Sequence, residues 1–153
     1  MICVNYCIEP SLIPNAGKGL FITESVVKGK IITAPTDIPN TIPLQELLMN
    51  PQNYHIDSSV RWFEDHCTVS PDWPDECYIN HSFEPTGIWH LGFVFASKDL
   101  PVSTEITVDY RHLLAPNMEV DFYDKLTGKR IEGFRWLDSL RISTQQLTDC
   151  LFS

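Results

Sequence analysis

An amide, an imidazole and a hydroxyl group stand on three successive residues, Asn80, His81 and Ser82, in the stretch ECYINHSFEP. Side chains of these types often hydrogen-bond their own backbone in a turn, and the nearby Pro85 favours such a turn. The same groups could instead bind a polar ligand. A hydrolytic triad is not indicated, because no Ser or Cys partner for His81 can be identified from the sequence.

Three other stretches carry residues that could line a site. In NAGKGLF, Gly17 and Gly19 flank Lys18 at the start of an apparent strand. Glycine tolerates positive φ and lets a ligand approach the backbone closely, but the spacing fits neither common phosphate-binding motif, and a simple turn is the alternative. In STEITVDYR, Tyr110 closes an alternating strand, and GFRWLDSL adds two aromatic residues. On their own, these aromatic residues fit packing as well as they fit a site.

Short extended segments make up most of the chain around these stretches. β-branched and aromatic residues, separated by Gly and Pro, recur in CVNYCIEPSLI, AGKGLFITESV, KGKIITAPTDI, GIWHLGFVFASKDL and EITVDYR. This pattern is typical of strands joined by turns. Leu44, Leu47 and Leu48 have helical spacing before Asn50 and Pro51, which predicts one short helix.

The C-terminal tail has a different pattern. FYDKLTGKRIEGF predicts two extended pieces around Thr127 and Gly128, and RWLDSLRI followed by STQQLTDCLF predicts helix. Ser143 and Gln146 fit a capping box, which predicts a helix start at Ser143. We therefore predict a mainly β fold with a few short helices, closed by a helical C-terminal end.

Length and charge narrow the class of function. A chain of 153 residues suits one domain, residues 1–153, with its own hydrophobic core. A net charge of −9 argues against nucleic acid as the main partner, because phosphate binding needs clustered Lys and Arg. Acidic residues concentrate before the Asn-His segment, at Glu64, Asp65, Asp72, Asp75 and Glu76. They serve either solubility or the attraction of a cationic peptide.

The cysteines and the hydropathy indicate an intracellular protein. The five Cys residues form no CxxC pair, and an odd number is a poor disulfide framework, so we expect inert thiols and no metal site. No apolar run has the length of a membrane span, and the N-terminus lacks the layout of a signal peptide. We expect a cytoplasmic location without membrane contact.

Taken in order and spacing, GKGLF, INHS.EP and EITVDY resemble the three signature segments of the SET-domain protein lysine methyltransferases. The resemblance covers about residues 4–111 and leaves 112–153 as a C-terminal lid with helices. It implies the SET fold, in which several small sheets surround a knot-like threaded segment. It also implies an enzyme that transfers a methyl group from S-adenosylmethionine to a lysine side chain of a protein.

The resemblance assigns roles to individual residues. In that family the glycine segment lines the cofactor pocket, chiefly through backbone groups; here it is Gly17, Lys18, Gly19 and Leu20. The Asn-His pair, here Asn80 and His81, holds the amino acid end and the adenine of the cofactor. The tyrosine that closes the third segment, here Tyr110, places its hydroxyl at the point of methyl transfer.

Aromatic residues near these segments are candidates for the lysine channel: Tyr78, Phe83 and Trp89. Our hypothesis is that Trp89 narrows the channel and limits methylation; the alternative is that Trp89 belongs to the core. The zinc-binding cysteine clusters that flank many family members are missing, which makes this a compact member. We therefore predict that Trp136, with Phe134 as a second candidate, stacks on or near the cofactor in place of a zinc-held lid.

Three positions depart from the family pattern, and none of them removes Asn80, His81 or Tyr110. Phe83 stands where the family has Cys, Thr86 follows Pro85 where Asn is usual, and Val108 replaces a common aromatic residue.

The acidic charge predicts a protein or peptide substrate with its lysine in a basic segment. The competing interpretation is a SET scaffold that binds basic peptides without turnover. The sequence leaves the oligomeric state open, a homodimer included.

Overall fold

Short strands dominate the structure. The computed structural model describes residues 1–35, 40–54, 59–69 and 73–153. The strands within these ranges are β1 (Tyr6–Pro10), β2 (Lys18–Ile22), β3 (Ile31–Thr33), β4 (Ile42–Pro43), β5 (Ser59–Phe63), β6 (His66–Val69), β7 (Asn80–His81), β8 (Gly87–His90), β9 (Phe93–Ala96), β10 (Glu105–Val108), β11 (Glu119–Tyr123) and β12 (Arg130–Glu132). The prediction of a mainly β fold is confirmed.

A four-stranded sheet in the order β1-β2-β10-β7 joins the three signature segments. β2 is antiparallel to β1 and β10, whereas β10 runs parallel to β7, with Thr107 opposite Asn80 and Val108 opposite His81. Every residue of β10 is buried, as expected for a strand covered on both faces. The second and third segments therefore lie side by side; the threading of one through a loop stays a prediction.

One hydrophobic core holds this sheet in place. Leu20, Ile22, Ile32 and Ile106 are completely buried, and they belong to a cluster that continues into β9. Burying one such side chain contributes about 1.5–3 kcal/mol. The strands that carry the signature segments are thus anchored by side chains buried in this core.

Three smaller sheets surround the core. They have the orders β3-β9-β8, β4-β6-β5 and β11-β12. The β11–β12 hairpin turns at Thr127 and Gly128, where Gly128 adopts a positive φ of 67° that glycine accepts without strain. Two extended pieces around this turn were predicted, and the structure contains them.

Two α-helices lie in the described part of the chain, α1 (Leu44–Met49) and α2 (Trp136–Phe152). α1 is where the leucine spacing predicts it. α2 is continuous through Ser143, so the prediction of a helix start there is wrong. The Ser143 hydroxyl donates to the Leu140 carbonyl at 3.2 Å and bonds His90 Nδ1 at 2.9 Å, instead of capping. No helix among the described residues is long and apolar enough to cross a membrane.

Polar contacts fasten α2 to the rest of the protein. Its buried face consists of small residues, Ser139, Ser143 and Cys150. Ser139 Oγ lies 2.8 Å from Nδ1 of the buried His112, two residues after the end of the third signature segment. Two histidine–serine hydrogen bonds, at His90 and at His112, therefore help to dock the C-terminal helix, together with the contacts of Cys150 with the carbonyls of Ala96 and Ser97.

Candidate functional site

A cavity of about 970 Å³ opens beside the central sheet. Its lining includes Lys18, residues 77–81, Tyr110 and residues 120–125 of the hairpin. A smaller hollow of about 470 Å³ lies against α1 and contains none of the predicted site residues. The larger cavity is therefore the candidate functional site.

The glycine segment and Asn80 are tied together at one end of this cavity. Gly17 has a φ of 76°, and Gly19 packs so closely on Glu105 that a Cβ there would lie 2.8 Å from its carboxyl carbon. The Asn80 side-chain amide donates to the Lys18 carbonyl at 2.9 Å and to Glu105 Oε1 at 3.0 Å. Glycine at position 19 thus allows the buried carboxylate to hold Asn80 against the start of β2.

We expect Gly19→Ala to lower the free energy of unfolding by about 2 kcal/mol, because the added methyl group must displace the Glu105 carboxylate from its hydrogen bonds. Urea unfolding measures this loss. The matched control is Gly19→Ala in a Glu105→Ala background, where the methyl group has space. An equal cost in both backgrounds would contradict the close approach as the reason for glycine.

His81 holds the backbone of Tyr110. Its Nδ1 accepts the Tyr110 N–H at 3.1 Å, so the proton of the neutral ring is on Nε2. Burial lowers the pKa of His81 below its ordinary value, while Asp109 and Asp124 oppose that shift. The ring is therefore neutral at pH 7, and its contact with Tyr110 suits positioning rather than acid–base work.

The Tyr110 hydroxyl is fixed inside the cavity. It donates to the Ile79 carbonyl at 2.8 Å, next to Asn80. Burial raises the pKa of Tyr110 well above its ordinary value, and Cys77 adds to the shift. The hydroxyl stays protonated at neutral pH and keeps its lone pairs as acceptors, so it can orient a polar group but cannot act as a base.

Phe83 and Phe134 form an aromatic clamp around the Arg111 guanidinium. Its central carbon lies 4.5 Å from the centroid of Phe83 and 4.6 Å from that of Phe134, and its nitrogens pair with the Asp109 carboxylate at 2.5–3.0 Å. The clamp joins the second segment, the third segment and the tail. Neither aromatic residue is among the described residues that line the cavity, where the sequence analysis expected them.

Trp89 and Trp136 also lie away from the described lining of the cavity. Trp89 packs against the core, with its ring centroid 5.6 Å from that of Trp62. Trp136 is the first residue of α2 and is half-buried. Among the channel candidates, Tyr78 does line the cavity, with the Lys18 ammonium 5.9 Å from its ring centroid. Leu20 is buried in the core.

Residues of the β11–β12 hairpin cover the cavity from the tail, and stacking of Trp136 or Phe134 on the cofactor stays a prediction. Phe122, Tyr123, Asp124 and Lys125 line it from the β11–β12 hairpin, and Phe122 meets the Tyr110 ring at 6.5 Å between centroids. The aromatic pair in FYDKLTGKRIEGF was the available signal. Cys77 and Trp73 are further lining residues that the sequence analysis missed.

The acidic residues before the Asn-His segment that the structure describes are not grouped as metal ligands. No three His, Cys, Asp or Glu side chains within the described ranges are grouped to hold a metal ion. The Asp75 carboxylate accepts the Tyr6 hydroxyl at 2.5 Å, and the Glu76 carboxylate pairs with the N-terminal ammonium at 2.7 Å. Asp72 lies outside the described residues.

A comparison with known protein families identifies the family of this chain. The family model described as SET domain matches residues 17–111, from the glycine segment to the residue after Tyr110. A search of curated proteins gives no significant match. The match spans more than half of the 153 residues and contains β2, β7, β10 and Tyr110. The chain belongs to the SET-domain family.

Proposed function

We propose that this protein is a lysine methyltransferase that uses S-adenosylmethionine and acts on a protein or peptide. The SET-domain family typically has this activity. The observation that carries the proposal is the Tyr110 hydroxyl, protonated and held by the Ile79 carbonyl inside the cavity, beside Asn80 and His81. A buried, oriented hydroxyl can align an amine without taking its proton.

The cavity fits a cofactor of this kind. Its 970 Å³ is at the upper end of the range for small-molecule sites, about 300–1,000 Å³. Its lining combines aromatic rings with the polar groups of Asn80 and Asp121, as such sites require. The backbone of the glycine segment, Asn80 and His81 would hold the cofactor, with Phe122 and Tyr123 covering it. When bound, S-adenosylmethionine would supply an electrophilic methyl group, which an unprotonated lysine amine would attack in line as the carbon–sulfur bond breaks and the sulfur leaves as a neutral thioether.

The protein must deliver lysine in its neutral form. With an ordinary pKa near 10.4, only on the order of one lysine in a thousand is neutral at pH 7.4, a deficit of roughly 4 kcal/mol. The walls around Tyr110, formed by Tyr78, Phe122 and Leu113, withdraw water from an entering side chain, and desolvation lowers the pKa of an amine. Tyr110 then contributes alignment of the amine.

Charge supports a basic substrate segment. The net charge of −9 raises the local concentration of cationic peptides. Asp121 is exposed and lines the cavity, where it can pair with a Lys or Arg near the target lysine. This partner class is part of the proposal.

Cofactor binding tests the proposed function most directly. S-adenosylmethionine at 100 times its dissociation constant should stabilise the protein by about 2.7 kcal/mol, measured as a shift in thermal unfolding. Asn80→Ala should abolish the shift, and the matched control Asn53→Ala, at an exposed residue outside the cavity, should keep it. If the cofactor does not shift the unfolding of the unaltered protein, the result contradicts the proposed enzyme and favours a SET scaffold that binds basic peptides without turnover.

A further inference from the structure

His81 has a buried donor that the described contacts leave unused. Since Nδ1 accepts the Tyr110 N–H, the ring proton is on Nε2. This nitrogen is buried and has no hydrogen-bond partner among the described residues. A buried donor without an acceptor is costly, so such a group usually has a partner in some state of the protein.

Asp124, in the turn of the β11–β12 hairpin, faces that donor. Its Oδ1 lies 3.8 Å from His81 Nε2, and both side chains are 3% exposed. A hydrogen bond between these atoms requires about 2.7–3.2 Å, so a movement of roughly 1 Å would form it. A small shift of the hairpin would therefore bring Asp124 Oδ1 within hydrogen-bond distance of His81 Nε2.

The Asp124 carboxylate is already oriented for this contact. Its Oδ2 accepts both the backbone N–H and the hydroxyl of Thr127, each at 2.6 Å. Burial acts to raise the pKa of Asp124, but the hydrogen bonds from the hydroxyl and the backbone N–H of Thr127 lower it on balance. The carboxylate is therefore ionised at neutral pH, with Oδ1 left to accept from His81.

We propose that Asp124 is a positioning residue: when the β11–β12 hairpin closes over the occupied cavity, its carboxylate accepts the Nε2–H of His81 and thereby fixes Tyr110. Asp124 would thus contact the His81 imidazole, which in turn holds the backbone N–H of Tyr110. The side-chain hydroxyl of Tyr110 lies in the cavity. Phe122 and Tyr123 move with the same hairpin, so closure covers the ligand and orders Tyr110 together. The inference rests on the proposed function for the identity of the ligand.

Protonation of His81 gives a readout specific to this pairing. The groups that act on the ring are Asp109 and the Val108 carbonyl from the end of β10, Asp124 from the hairpin and Arg111 from the turn after Tyr110. The two carboxylates favour the charged ring, so Asp124→Asn should lower the pKa of His81 further. Asn retains an oxygen for Thr127, which preserves the turn.

The first experiment follows the His81 ring by NMR during a pH titration of the free protein. We expect a lower pKa in Asp124→Asn than in the unaltered protein, and an unchanged pKa in the matched control Asp121→Asn, which removes an equal charge from the same hairpin. An equal effect of both substitutions, or of neither, would overturn the pairing. This arm needs no ligand, so it stands even if the proposed function fails.

The second experiment adds S-adenosylhomocysteine to the unaltered protein and follows the Nε2-bound proton of His81. We expect the proton to shift downfield and to exchange more slowly with water as the hydrogen bond forms. Calorimetry should show binding weakened on the order of tenfold in Asp124→Asn, as for loss of a charge-assisted hydrogen bond. Binding without any change at Nε2 overturns the inference but not the proposed function, whereas absence of binding overturns the proposed function. Because the Nε2 measurement uses the unaltered protein, it decides even if the variant fails to fold.

Discussion

Tyr110→Phe is expected to lower kcat for lysine methylation by about a hundredfold, because the amine loses the hydroxyl that aligns it. The affinity for S-adenosylhomocysteine should stay within about twofold, since the lost group acts on the reacting amine. Steady-state kinetics on a lysine peptide and calorimetry with the product cofactor measure the two quantities. The matched control is Tyr54→Phe, whose hydroxyl donates to Glu46 outside the cavity.

The pH dependence of the same variant separates alignment from base catalysis. Burial raises the pKa of Tyr110 above its ordinary value, so the hydroxyl stays protonated throughout the working range. The rate should rise with pH as the substrate amine loses its proton, and it should rise with the same slope in Tyr110→Phe. A flattened profile in the variant would mean that Tyr110 itself takes the proton.

The central sheet was the part of the site most accessible from sequence. KGLFI and EITV carry the β-branched and aromatic residues of buried strands, and their hydrophobic side chains fix β2 and β10 whatever the ligand. The short β7 was not predicted, because its pairing with β10 and the hydrogen bond from the Asn80 amide to the buried Glu105 join residues distant in the chain. By contrast, β2 and β10 can be predicted from one sequence because their own hydrophobic side chains fill the core.

The cover of the cavity was less accessible, because it depends on contacts between residues distant in the chain. Phe134 and Trp136 were expected near the cofactor from their type, yet Arg111 offers Phe134 a cation to stack on and Trp136 opens α2. Phe83 is drawn to the same guanidinium. The sequence does not show that Phe83 and Phe134 stack on the Arg111 guanidinium instead of lining the cavity.

The continuous helix α2 is a second case of tertiary contacts overriding a local signal. Ser143 and Gln146 have capping-box spacing, but His90 supplies a partner for the Ser143 hydroxyl in the middle of the helix. A capping-box sequence supplies side chains that could hydrogen-bond a helix N-terminus, but it does not by itself determine where the helix begins.

Acidification from pH 7 to pH 4 is expected to cost about 3 kcal/mol of stability through His112 alone, roughly 1.36 kcal/mol per pKa unit. Burial lowers the pKa of His112 from 6.5 to about 4; Asp109 opposes the shift, and the charges of Arg111 and Arg61 add to it. Between pH 6.5 and about 4, His112 is therefore protonated in the unfolded chain but neutral in the folded protein. Stability is complete above pH 6.5 and is lost as the pH falls towards 4.

His112→Asn isolates this contribution. The asparagine amide can reach Ser139 Oγ, which lies 2.8 Å from Nδ1 of His112, but it does not titrate in this range. Urea unfolding between pH 7 and 4.5 should show a smaller fall in stability for the variant than for the unaltered protein, by about 2.5 kcal/mol. The same fall in both proteins would assign the acid sensitivity to other groups, such as the carboxylates. Because His112 lies two residues after Tyr110 in the same 3₁₀ turn, a protein that releases α2 on protonation of His112 should lose cofactor affinity over the same pH range.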